Sequence, residues 1–234
     1  RTTSGPRIFD RKRSIRYRCF IRYLHRHEYS VLFYGMIYLA PPKSDTELNY
    51  YLTWLSKVGV SIVLLKRVED LNGPLVLSGG ADIGVNQARD EFEYGLIKRA
   101  IEHGYPILGI CRGMQIVNKY FGGEVENLLV EDDHSSTRDF ISENNVARKK
   151  SVFHEVHDLN EQTFKVNSRH HQHCHHIPKP LKAIAWSSDG IIEAIAGPNI
   201  FLVQWHPERK EIYGTLASEW PLMWLKEQIV QTFL

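Results

Sequence analysis

Pro106-Ile107-Leu108-Gly109-Ile110-Cys111-Arg112-Gly113-Met114-Gln115 is the stretch that decides the fold. An apolar run ends in Gly-x-Cys-x-Gly and gives way to an amphipathic segment. This reads as a buried strand turning sharply into a helix, with a nucleophilic cysteine at the tip of the turn. The flanking glycines allow close backbone packing there. Cys111 then stands at a helix N-terminus, where the dipole favours thiolate. Further along, Gln204-Trp205-His206-Pro207-Glu208 offers a base and a carboxylate to orient it. A cysteine, a histidine and a glutamate make a triad-type constellation.

Outward from this turn, β and α signals alternate. Residues 36–39 form a short apolar strand closed by Pro41-Pro42, and Asp45 can cap a helix over 45–57 that Gly59 ends. Residues 60–65 read as a buried β-branched strand, and 75–77 as another that ends in Ser78-Gly79-Gly80. Asp90 and Glu93 fit a capping pair at the start of a helix stopped by Gly104. The helix after Cys111 runs to Gly122-Gly123. Residues 124–150 are polar and read as surface loop with at most a turn of helix. Two strands at 190–195 and 200–203 flank the turn 196–199, and a helix over about 222–233 closes the chain. Strands alternating with helices predict an α/β, flavodoxin-like fold, a parallel sheet with helices on both faces. Ligands of such sheets bind beyond the carboxyl ends of the strands, where Gly79, Gly80 and Cys111 fall.

Composition sets the limits. The chain has 234 residues and a net charge of +2, unevenly distributed. Residues 1–35 hold nine Lys/Arg and two acids, against 20 Lys/Arg and 25 acids in the rest. The expected division is a basic extension over 1–35 and one domain over 36–234. A basic arm of this kind can bind nucleic acid or an acidic partner, but it reads better as sequence outside the domain, and no nucleic acid is expected. No apolar stretch reaches the roughly 18 residues that span a bilayer, and no secretory signal is legible. Three scattered cysteines, Cys19, Cys111 and Cys174, suit a reduced, cytoplasmic setting.

Six runs fall in one order: Leu77-Ser78-Gly79-Gly80-Ala81-Asp82, Arg89-Asp90-Glu91-Phe92-Glu93, the stretch around Cys111, Val166-Asn167-Ser168-Arg169-His170-His171-Gln172, Asp189-Gly190-Ile191-Ile192-Glu193-Ala194, and Gln204 to Glu208. In these the chain resembles the class I glutamine amidotransferases, and within them the γ-glutamyl-γ-aminobutyrate hydrolase (peptidase C26-type) family. The resemblance implies a cysteine hydrolase acting on a small-molecule γ-glutamyl amide. Cys111 would be the nucleophile, His206 the base and then acid, and Glu208 its orienting group. Backbone amides of Gly80 and Arg112 would form the oxyanion hole. Gln115, Asn167, Ser168, His170, His171 and Gln172 would lie beside the glutamyl head group. Asp90 and Glu93 read as helix caps rather than substrate ligands.

The resemblance brings no cofactor. Residues 170–176 place five histidines and a cysteine in seven positions, a composition that suggests metal. His170, His171 and Gln172 already belong to the family pattern, and the remainder lacks a spaced second ligand pair, so no metal is expected. One departure stands out: only residues 81–88 separate the Ser-Gly-Gly turn from the Arg-Asp helix, where relatives often carry a longer stretch. A more open leaving-group side follows. Two activities stay open, a stand-alone γ-glutamyl hydrolase and a glutaminase subunit that hands ammonia to a partner synthase. A scaffold protein is disfavoured because the whole triad is present. Homodimerisation is compatible with either activity.

Overall fold

The computed structural model describes residues 35–129, 134, 137–139 and 148–230. The basic extension and Cys19 lie outside the described residues, apart from Gly35. A nine-stranded mixed sheet runs through the domain in the order β2-β1-β3-β4-β13-β12-β11-β8-β9. Its parallel half is β2 (Ser61–Leu64), β1 (Met36–Leu39), β3 (Leu75–Leu77), β4 (Ile107–Ile110) and β13 (Ile200–Val203). The antiparallel half adds β12 (Ile192–Gly197), β11 (Lys182–Ser187), β8 (Val152–Asp158) and β9 (Thr163–Ser168). The expected parallel sheet is therefore the core of a larger mixed one.

Among the described residues, four α-helices accompany the sheet: α1 (Asp45–Leu55), α2 (Gln87–His103), α3 (Arg112–Tyr120) and α4 (Leu216–Val230). α1 and α4 meet where the Trp54 indole N–H reaches Ser218, at 3.2 Å from both its carbonyl and its hydroxyl oxygen. α2 and α3 meet through ion pairs from Arg112 to Asp90 and Glu93. Trp54, Trp205, Trp220 and Phe201 are fully or almost fully buried at the centre of the α4 side.

Several local expectations change. Ser44, not Asp45, caps α1, accepting from the Glu47 amide at 3.3 Å. α2 starts at Gln87 under an Asn86 cap, so Asp90 and Glu93 lie inside the helix. Their carboxylates are buried, and salt bridges to Arg112, not capping, satisfy them. β2 is the sheet's edge and only partly buried, because the second face of its backbone has no neighbour. The span 124–150 contains strands: β5 (Val125–Asn127) pairs with β10 (Gln172–Cys174), and β6 (Thr137–Asp139) with β7 (Arg148–Lys150). α4 begins six residues before the expected start, with Pro221 inside it. Proline supplies no N–H for the Ala217 carbonyl, and the Trp205 indole N–H takes that place at 2.8 Å. The breaker is tolerated because its missing donor is replaced.

Candidate active site

β4 is buried at all four positions and delivers Cys111 to the carboxyl edge of the sheet. Cys111 has φ 53° and ψ −107°, a region that a side chain enters at a cost of about 1–3 kcal/mol. Neighbouring backbone holds it there. Its N–H donates to the Val203 carbonyl at 2.8 Å, so the ladder with β13 continues up to the nucleophile. Its carbonyl accepts from the amides of Met114 and Gln115 at 3.0 and 3.2 Å, which starts α3. A Cβ on Gly113 would stand 2.4 Å from the Leu77 carbonyl oxygen, so only glycine lets α3 sit this close to β3.

β13 ends one residue before Gln204 and hands over His206 and Glu208. The His206 Nδ1 lies 2.8 Å from Glu208 Oε1, both side chains buried. The Cys111 sulfur is the other charged partner that this ring faces. Burial alone would lower the imidazole pKa, but Glu208 and the Cys111 sulfur outweigh it and raise it to about 10. Asn167 fixes the backbone beneath: its Nδ2 donates to the His206 carbonyl at 3.0 Å and its Oδ1 accepts from the His206 amide at 3.1 Å.

The Ser78-Gly79-Gly80 turn is fastened from two sides. The Gly79 amide donates to the Tyr51 hydroxyl at 2.8 Å. Arg89 bonds the Gly79 carbonyl at 3.0 Å and Glu93 at 2.7 Å, and Glu93 in turn pairs with the buried Arg112. Arg89 passes so close that a Cβ on Gly80 would stand 2.2 Å from its Nη1. Among the described residues, the amides of Gly80 and Arg112 have no protein acceptor. Both flank Cys111, one at the turn beside it and one directly after it.

An open cleft of about 380 Å³ lies over this turn. Gly80, Cys111, His171, His206 and Glu208 are among the residues that line it. The walls add charges of both signs: Lys43, Arg169 and Arg209 with Glu47 and Asp82. His171 bridges to Asp82 at 2.8 Å across the lip. The other expected substrate contacts, Gln115, Asn167, Ser168, His170 and Gln172, are not among the residues that line the cleft. Gln115 is buried and donates to the Gln172 carbonyl at 3.2 Å. The Gln172 amide reaches Asn127 at 3.0 Å, Ser168 donates to the His134 carbonyl at 2.5 Å, and Asn167 serves His206.

Sequence reading had no role for Tyr51 or Arg209, and included Arg169 only as part of the 167–172 loop. Tyr51 had a signal, since it lies on the apolar face of α1. Cys174 is fully buried, and burial pushes its thiol well up. Among the described residues, the side chains that converge like metal ligands are His134, His170 and Glu193, so that of the run 170–176 only His170 takes part.

Comparison with known proteins gives the family and the fold. The peptidase C26 family model matches residues 67–208, which include the Ser-Gly-Gly turn, the elbow and the His-Pro-Glu segment. A glutamine amidotransferase-like protein of Lactococcus lactis, YvdE, is 32% identical over 167 residues, 62% of this chain and 69% of that protein. A γ-glutamyl-CDP-amidate hydrolase of Campylobacter jejuni is 28% identical over 156 residues, covering 62% of this chain and 68% of that one. The crystal structure of a glutamine amidotransferase from Thermotoga maritima shares the fold, with a TM-score of 0.59 over 85% of this chain and 98% of that chain at 16% identity. No helix among the described residues is long and apolar enough to cross a membrane. With the family pattern spread over the turn, the elbow and the histidine that face one cleft, the chain belongs to the peptidase C26 family of the class I glutamine amidotransferase-like superfamily.

Proposed function

We propose that the protein hydrolyses the γ-glutamyl amide bond of a γ-glutamyl-amine conjugate. One observation carries this reading: His206 lies between Glu208 and Cys111 on an open cleft, and Cys111 is held at the tip of a strained elbow. The Cys111 thiolate attacks the γ-carbonyl carbon. The oxygen gains the negative charge and faces the amides of Gly80 and Arg112, an arrangement in which one donor is worth roughly 10²–10³ in rate. His206, charged beside Glu208, gives its proton to the departing amine nitrogen as the C–N bond breaks. A γ-glutamyl thioester remains. Water then attacks it, His206 accepts a proton from that water, and glutamate leaves as the thiolate is restored.

A glutamyl head group carries one ammonium and one carboxylate, and the cleft walls offer both acids and bases to receive them. The short connection between the Ser-Gly-Gly turn and α2 leaves Asp82 and Val85 at an open rim, with Val85 71% exposed. That rim accommodates a large leaving amine, in keeping with the activity named for the Campylobacter jejuni relative. Glutamate release from a panel of γ-glutamyl amines and from glutamine, with the protein alone, is the test. Turnover of the conjugates supports the hydrolase. Turnover of glutamine only, and only with a synthase added, overturns it in favour of a dependent glutaminase subunit.

A further inference from the structure

We propose that His134, His170 and Glu193, with His154 beside them, form a buried site for a divalent transition metal, zinc being the best fit, separate from the catalytic cleft. Glu193 lies on β12 and is fully buried, and His134 and His170 are each at most 2% exposed. Three imidazole nitrogens surround the same oxygen, Glu193 Oε1: His134 Nδ1 at 3.4 Å, His154 Nε2 at 3.2 Å and His170 Nε2 at 3.4 Å. None of these four side chains lines the catalytic cleft.

The opposite ring edges fix what faces inward. His134 Nε2 lies 2.9 Å from Asp189 Oδ2, and only an N–H satisfies a carboxylate at that distance. His170 Nδ1 lies 3.0 Å from the Gln172 carbonyl and is likewise a donor. In neutral rings the inward nitrogens, His134 Nδ1 and His170 Nε2, are then lone pairs. They point at a carboxylate. Both of those nitrogens and both Glu193 oxygens are buried without a hydrogen-bond partner among the described residues. Lone pairs and a carboxylate converging away from water need a cation between them.

Protons would bring each N–H in line with the carboxylate at about 2.7–2.9 Å. The observed separations are longer. Around a tetrahedral ion with bonds of about 2.0–2.1 Å, neighbouring donors stand about 3.3 Å apart, which matches the 3.2–3.4 Å found here. The donor atoms of His134, His170 and Glu193 all lie within 4.8 Å of one another. Asp189 and the Gln172 carbonyl already occupy the positions from which outer groups orient metal-bound histidines. Imidazole nitrogens with one carboxylate oxygen suit zinc rather than magnesium or calcium, which prefer all-oxygen shells. The ion would tie β12 and β8 to the loop that carries His171 to the cleft lip, a structural role.

The experiment uses the untagged full chain, stripped with chelator and titrated with Zn²⁺ against a competing dye, and with Co²⁺ for its spectrum. The expected result is one Zn²⁺ per chain. Binding persists in Cys111→Ala and in His175→Ala, and falls at least about 100-fold in His134→Ala. Asp189→Asn weakens it about 10–100-fold, the usual effect of removing an outer-shell partner. Co²⁺ gives visible bands of a tetrahedral nitrogen–oxygen set. Zn²⁺ affinity unchanged in a folded His134→Ala overturns the site, as does loss in His175→Ala alone. Should His134→Ala fail to fold, the Co²⁺ spectrum of the natural chain decides: a thiolate charge-transfer band places the ion on a cysteine and overturns the proposal. These readouts do not depend on turnover, so the catalytic reading can fail without it.

Discussion

Among the described residues, two buried histidine–glutamate groupings stand out, and they are built differently. In the cleft, His206 and Glu208 are 2.8 Å apart, a distance at which one proton joins them. Behind it, three histidines stand 3.2–3.4 Å from Glu193 without that bond. The first grouping hangs from the parallel half of the sheet, through β13 and the ladder that also holds Cys111. The second belongs to the antiparallel half and joins strands distant in sequence. The same residue types serve a proton in one place and suit an ion in the other. Spacing and the partner on the far ring edge make the difference.

The sharpest way to break this contrast is at the sulfur. Cys111→Ala should lower kcat on a γ-glutamyl amide by about 10⁶-fold, as in other enzymes where the nucleophile of a triad is removed. Its melting temperature should stay within a few degrees, since no packing of the second grouping changes. A turnover loss under tenfold would mean that the cleft is not the catalytic site.

Glu193 tests the other side. Glu193→Ala takes the central carboxylate out of a buried polar cluster, leaves the inward ring nitrogens facing a void, and should destabilise the fold by about 1–3 kcal/mol in urea unfolding. An unaltered unfolding midpoint would show that the second grouping holds nothing together. Glu208→Gln should behave in the opposite sense, costing about 10²–10⁴ in kcat with a much smaller change in stability. It also moves a pH limb. His206 has its pKa raised to about 10, so the charged ring persists below that value and is lost as pH rises through it. Rate should therefore fall on the alkaline side near pH 10, and stability from the ion pair, complete below the unfolded value of about 6.5, should fade over the same interval. Without Glu208 the charged ring loses its main support, and the limb moves to lower pH. A limb that stays in place would show that Glu208 does not face the charged ring in solution.

The two halves also differed in how far the sequence disclosed them. The elbow was legible because its causes are local: four apolar residues, glycines at both sides of Cys111, and a helix directly after. Glu208 was legible beside His206 because only Pro207 separates them along one segment. The antiparallel half was not. β8 alternates in burial, but its inward positions include His154 and Asp158, which a hydrophobic pattern does not count. The histidine-rich run drew attention to residues 170–176, and only His170 of that run reaches the convergent group. Its partners come from 134, 154 and 193, positions that only strand pairing brings together. The buried pairing of Asp90 and Glu93 was missed for the same reason, since Arg112 lies on the next helix. A charge pattern within one helix could only suggest a cap.

The smallest expected effect lies between the two groupings, at His171. Its neighbour His170 faces Glu193, while His171 faces Asp82 across the cleft lip at 2.8 Å. Both members of this bridge are substantially exposed, at 46% and 36%. Exposed pairs of this kind contribute about 0.2–1 kcal/mol. If the bridge only steadies the lip, His171→Asn should raise KM by no more than about fivefold, the factor that such an energy corresponds to, and leave kcat and Zn²⁺ binding as they were. The measurement is a KM and kcat determination on one γ-glutamyl amine beside the dye titration. A fall in kcat of a hundredfold would make His171 part of the chemistry. A loss of Zn²⁺ would instead mean that the lip and the buried histidines act as one unit, and the contrast between the two groupings would no longer hold.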